Sequence, residues 1–253
     1  MANIALDGGG NGTDYDEDEL HVEPLQFKLK HNGQYKAKIG HVSDIYPRKA
    51  WGSDNDDEKE DVLQIYTYIP VDELGLDDEK EEAVLEQVEA HREEIAAVNE
   101  RREEIDWDTL QQVPEGHIPM KMYTKASLTR STGSYNNAKL YDTLFELGLA
   151  EGVLTDGEDK GAIQLYDRDG EPINPFEPVD LDDNDAVNAA LENYLRQNLL
   201  GMEVEIQLKN ANRDNPEKDE YSTVKYIIGK VDDPLAEAAD ESGDEEDDAT
   251  ALA

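Results

Sequence analysis

The chain has 253 residues, with 62 Asp or Glu against 23 Lys or Arg and a formal net charge of -39. It has no cysteine, which excludes a disulfide framework, a thiol nucleophile and a thiolate metal site. An apolar fraction of 37%, with no run near the roughly 20 apolar residues of a membrane span, points to a soluble intracellular protein with a modest core.

Residues 1–22 are rich in Gly and Asp, lack the basic start of a signal peptide, and read as a disordered leader. From 24 to 46 apolar residues alternate, first Leu25, Phe27 and Leu29, then Tyr35, Ala37 and Ile39, with Asn32-Gly33 between. Two short strands around an Asn-Gly turn are predicted. Residues 53–61 form an acidic loop. A strand follows over 62–70, with Leu63, Ile65, Thr67 and Ile69 on one face and Val62, Gln64, Tyr66 and Tyr68 on the other. The period then changes. Val84, Val88, His91, Ile95 and Val98 recur at four, three, four, three along an otherwise charged stretch. The spacing predicts an inserted helical arm over 77–105, docked on the body or paired with a second copy or a partner.

Residues 117–130 read as a strand and its exit, and 135–149 as an amphipathic helix with Ser134 as N-cap and Gly148 at its end. A short strand, AIQLY, precedes the turn signal Asp169-Gly170. A second helix is predicted over 184–199, capped by Asn184 or Asp185, with Val187, Leu191, Leu195 and Leu199 as its stripe. Strands at 202–209 and 221–231 flank a polar loop, and 232–253 is an acidic, low-complexity, disordered tail. Without the arm, the order is three strands, a helical segment and two strands, which is that of the five-stranded OB barrel. The expectation is a β-rich α+β domain over 23–231, OB-like, with the arm inserted and acidic disordered termini.

At this charge a chain repels itself in ordinary buffer, whereas molar salt shortens the Debye length to about 3 Å. The composition therefore suits the high-salt cytoplasm of a haloarchaeal cell or of one infected by a virus. A wholly disordered acidic chain shares this composition but not the alternating strands. Two windows break the acidic background. Pro24–Ser43 and Gly116–Tyr141 hold no Asp or Glu, yet carry Lys28, Lys30, Lys36 and Lys38 in the first and Lys121, Lys125, Arg130 and Lys139 in the second. Aromatics fall in the same windows. Cations that track phosphates beside rings that stack on bases are what single-strand binding requires. The candidate contacts are Lys28, Lys36, Lys38, Lys121, Lys125 and Arg130 for phosphates, and Tyr35, Tyr66, Tyr68 and Tyr123 for bases. The competing reading is that both windows are core strands, from which acids are excluded anyway.

The five histidines have no metal-ligand spacing, and Asp167-x-Asp169-Gly170 lacks the later ligands of a calcium loop. No phosphate-binding, nucleophile-elbow or dinucleotide glycine motif occurs, so neither a cofactor, a metal nor an enzymatic activity is expected.

Three segments, YKAKIGHVSDI, LYDTLFELGL and LLGMEVEIQLKNANRDNPEKDEYSTVKYIIGKV, resemble a family of bacteriophage and prophage proteins encoded near recombination and replication genes. The likeness lies in a tight early strand, a helix ending in Leu-Gly, and a Leu-Leu-Gly strand joined by a polar loop to a tyrosine-bearing closing strand. The arm, the longer 150–184 segment and the acidity depart from it. The resemblance implies an OB-like, non-catalytic single-stranded-DNA-binding protein of viral replication or recombination. By analogy, the acidic tail recruits replication or recombination proteins; it reads equally well as a solubilising halophilic tail. The rival reading is a virion or assembly protein that oligomerises through its strands and the 77–105 arm; a replication accessory that binds only protein is the third.

Overall fold

The computed structural model describes residues 20–50, 55, 57–128, 139–152, 163–212 and 217–231. Most of the leader, Arg130, the Ser134 cap and the acidic tail lie outside them. Among the described residues no helix is long and apolar enough to cross a membrane.

Among the described residues the fold is β-rich, with three α-helices and antiparallel sheets. The strands are β1 (Gln34–Val42), β2 (Tyr46–Lys49), β3 (Lys59–Pro70), β4 (His117–Lys125), β5 (Ala150–Gly152), β6 (Ile163–Tyr166), β7 (Pro172–Ile173), β8 (Glu203–Ala211) and β9 (Tyr221–Lys230). The helices are α1 (Asp78–Glu104), α2 (Leu140–Glu146) and α3 (Asn184–Leu199). The main sheet runs β2-β3-β1-β8-β9, with β4 on the other edge of β3. β1 and β2 share one edge of β3, β1 pairing with Ile65–Tyr68 and β2 with Lys59–Val62.

The expected barrel is not closed. β4 and β9 meet where the Thr223 hydroxyl donates to the Lys121 carbonyl, but no backbone ladder joins them. Closure here rests on a side chain, so the sheet remains open in its hydrogen bonding. The predicted first hairpin also fails. Leu25, Phe27 and Leu29 do pack on the core, but their segment lies along the start of β9: Ser222 N donates to Phe27 O at 2.7 Å and Leu29 N to Ser222 Oγ at 2.8 Å. The Asn32 turn (φ 58°) instead leads into the β1–β8 pair, with Asn32 N donating to Leu208 O and Leu208 N to Gly33 O. β2 was not predicted, because Pro47 masks a four-residue edge strand.

Both faces of β3 are largely buried. Its inner residues Leu63, Ile65 and Ile69 join Ile39, Met120, Met122, Leu144, Leu195 and Ile206 in one core between the sheet, α2 and α3. The stripe of α3 buries Leu191, Leu195 and Leu199, and its cap is Asp183, one residue before the predicted pair; Asp183 accepts from Asp185 N and Ala186 N. α2 ends as expected: Gly148 adopts φ 68°, a left-handed position that costs glycine no Cβ clash. Its N–H donates to Phe145 O. The Asp169-Gly170 turn joins β6 to β7, and Asp167 Oδ1 accepts from Asp169 N and Glu171 N.

The arm is one 27-residue helix capped by Asp77. Its seam is filled from within the chain. Val88 belongs to the main core, while Ile95 and Val98 pack with Leu20, Val22, Ile105, Trp107 and Leu110. Leu20 and Val22, assigned to the leader from sequence, are thus buried against the arm. Asn99 fastens the returning chain, donating to Leu110 O and accepting from Leu110 N.

Candidate nucleic-acid interface

Strand register assembles the site. Directly opposed residues in an antiparallel pair point to the same face. On the outer face, Tyr66 opposes Lys121 and Gln64 opposes Tyr123 across β3–β4, and Val62 opposes Lys125. On the other edge of β3, Tyr46 opposes Val62, Arg48 opposes Glu60 and His41 opposes Tyr66. Three short stretches far apart in sequence thereby place Tyr46, Tyr66, Tyr123, His41, Arg48, Lys121 and Lys125 on one surface.

The rings are held in place. Gln64, 6% exposed, donates from Nε2 to the Tyr46 hydroxyl at 2.7 Å and accepts at Oε1 from the Tyr66 hydroxyl at 2.9 Å. A buried amide with both ends satisfied fixes two phenols at once. The His41 ring is tilted against Tyr66 at 5.5 Å. The Tyr123 ring has two cations close by, the Arg48 guanidinium at 5.7 Å and the Lys121 ammonium at 5.5 Å from its centroid, both within cation–π range.

Burial pushes the phenols up: Tyr66 to about 12, aided by neighbouring Tyr123, Tyr46 and Tyr68, with Tyr46 and Tyr123 also raised. They therefore stay neutral hydrogen-bonding groups. Burial and the nearby Arg196 lower the His41 pKa, against the opposing pull of Asp44. Burial likewise lowers the pKa of Lys121, and Tyr221 partly counters it. Glu60 lies within this surface and pairs with Lys125 at 2.6 Å, and Asp44 borders it beside His41; Arg48 and Lys121 are the cations beside Tyr123.

Several predicted contacts lie elsewhere. Tyr68 is 3% exposed. Its ring lies on Gly40, where β1 bulges, so it serves the core and offers no face for stacking. Tyr35 packs its ring over Gly33 and against the core. Lys36 and Lys38 are exposed on the same outer face, with Lys38 opposite Tyr68 of β3, but they also oppose Glu205 and Glu203 of β8, so their surroundings are mixed in sign. Lys28 pairs with Glu220 at 2.7 Å beside the β8–β9 loop. The two acid-free windows thus contribute unequally: Lys121, Tyr123 and Lys125 of the second come together with Tyr66 and with His41 of the first, Lys36 and Lys38 stand on the same outer face beside the carboxylates of β8, and Lys28 and Tyr35 lie apart. Sequence reasoning missed Tyr46 and Arg48; their spacing of two, shortly after an acid-free window and past Asp44, was the available signal.

No protein-family model matches the chain, and the comparison with curated proteins finds no match. Among solved structures, a single-stranded DNA-binding protein encoded by bacteriophage T7, gp2.5, is 11% identical over 85% of this chain and 97% of its own, with a TM-score of 0.19. A superposition this poor says nothing about fold or function.

Proposed function

We propose that this chain binds single-stranded DNA on the outer face of β2, β3 and β4, with bases stacked on Tyr123 and phosphates met by Arg48 and Lys121. The observation that carries the reading is a half-buried Tyr123 ring with two cations within 6 Å of its centroid in a protein with net charge -39. Self-repulsion and solvation would favour a carboxylate at an exposed position such as that of Arg48. The order β4-β3-β1-β8-β9, with the helical segment between β4 and β8, supports an OB-like architecture, whose second and third strands offer a nucleic-acid face. These correspond to β3 and β4. We place the protein in a high-salt setting. At about 1 M salt the Debye length is about 3 Å, so a bound strand no longer feels the distant carboxylates. Counterion release then contributes little, and stacking, worth roughly 1–3 kcal/mol per base, dominates. The rival reading as an assembly protein clamped by the arm loses support, because the chain's own residues cover the arm's seam.

The test is a fluorescence titration of an unstructured oligonucleotide in about 2 M KCl. Saturable binding is expected. Tyr123→Ala should weaken it by roughly 1–3 kcal/mol, and Lys125→Gln far less, since Lys125 already pairs with Glu60. Absence of binding by the natural chain, or an unaffected Tyr123→Ala, would end the reading.

A further inference from the structure

A second aromatic and cationic cluster lies across the β4–β9 junction, assembled from three elements. Lys139 precedes α2, Lys209 lies on β8, and Lys225 and Tyr226 lie on β9. Gln207 opposes Tyr226 and Leu208 opposes Val224, which leaves Lys225 as the extra residue of a β-bulge. Bulges re-aim side chains. This one sets Lys225 and Tyr226 together, with the Lys225 ammonium 5.2 Å from the Tyr226 centroid and the Lys139 ammonium 5.9 Å away.

Three further features mark the cluster as unusual. Tyr226 is 48% exposed, one of the few large apolar side chains left open. Among the described residues none of Lys139, Lys209 and Lys225 forms an ion pair. The lysines repel one another: burial, Lys209 and Lys225 together hold Lys139 down to about 8. Like charges gathered beside an exposed ring, two of them within 6 Å of its centroid, in a chain with 62 acids to draw on, gain most when an anion lies among them.

The cluster also adjoins the first surface. Thr223, bonded through its hydroxyl to the Lys121 carbonyl, directly opposes Lys209. Lys139 N donates to Thr124 Oγ1 of β4 at 3.0 Å. Thr223 thus stands between Lys121 and Lys209.

We infer that Lys139, Lys209, Lys225 and Tyr226 form a second contact for the same single strand, taking a phosphodiester among the ammonium groups and a base on Tyr226. The strand then crosses from β4 over β9 to β8. This inference rests on the function proposed above, and the two can fail separately.

The experiment titrates the full chain with oligothymidylates of about 4 and about 16 nucleotides, the extremes of length that a single OB-type domain covers, at several KCl concentrations. Tyr226→Ala should weaken binding of the long oligonucleotide at least about fivefold and leave the short one unchanged, whereas Tyr123→Ala weakens both. Lys209→Gln with Lys225→Gln should flatten the salt dependence of the long oligonucleotide by roughly 0.7 per lost phosphate contact. Tyr226 is exposed, so its variant should keep the parent circular dichroism spectrum. If Tyr226→Ala and the lysine pair leave the long oligonucleotide unaffected while Tyr123→Ala weakens it, the second contact is overturned and the first surface stands. If the natural chain binds neither length, both are overturned.

Discussion

Gly40→Ala isolates the contact that takes Tyr68 out of the binding surface. A Cβ built on Gly40 lies 2.0 and 2.3 Å from two Tyr68 ring carbons, where ordinary contact begins at 3.4 Å. The ring must therefore move by more than 1 Å, yet Tyr68 is 3% exposed and packed in the core. Overpacking of this kind costs about 1–3 kcal/mol. Removing a glycine from the unfolded chain offsets about 0.4–1 kcal/mol of that. A net loss of about 1–2 kcal/mol remains, which lowers Tm by roughly 2–8 °C in a protein of this size. Thermal unfolding by circular dichroism in about 2 M KCl measures it. In a Tyr68→Leu background the same substitution should cost almost nothing, a coupling of about 1–2 kcal/mol between residues in contact. An unchanged or higher Tm for Gly40→Ala alone would show that Tyr68 does not lie on Gly40, and would return it to the candidates for base stacking.

Tyr194→Phe should destabilise the fold by about 1–2 kcal/mol in urea unfolding, because the buried hydroxyl lies 2.9 Å from both Leu149 O and Tyr166 O and ties α3 to the small sheet. Asp183→Ala removes the cap of α3 and should cost about 1 kcal/mol in the same assay. Stability should also follow pH through Lys139. Its folded pKa of about 8 lies below the ordinary 10.5, so between these values the unfolded chain binds more protons and this group makes stability rise with pH. Lys139→Gln should remove that rise from a plot of Tm against pH, and an unaltered slope would contradict the crowding of Lys139. Tyr66 acts in the opposite sense. Its phenol is raised from 10.0 to about 12, so its contribution is complete below pH 10 and is lost as pH climbs through 12; Tyr66→Phe should blunt that alkaline loss.

Local pattern alone was enough for much of the fold. Alternation marked β3, β8 and β9, the four-three spacing marked α1, and Gly148 and Asp169-Gly170 marked a helix end and a hairpin turn. These signals lie within a few residues of one another, and backbone geometry converts them directly into period and handedness. Membership of a shared surface was not legible in that way. Tyr66 and Tyr68 lie on one face of one strand, yet Tyr66 borders the basic surface while the bulge at Gly40 draws Tyr68 into the core. Tyr123 meets Arg48 only because β2 and β4 flank the same end of β3. Lys139 and Lys225 converge on a ring aimed by a bulge in β9, with Lys209 close enough to repel Lys139. Period two sets a side chain's face within its own strand; register, bulges and strand neighbours set what stands beside it, and those depend on contacts between residues distant in the chain.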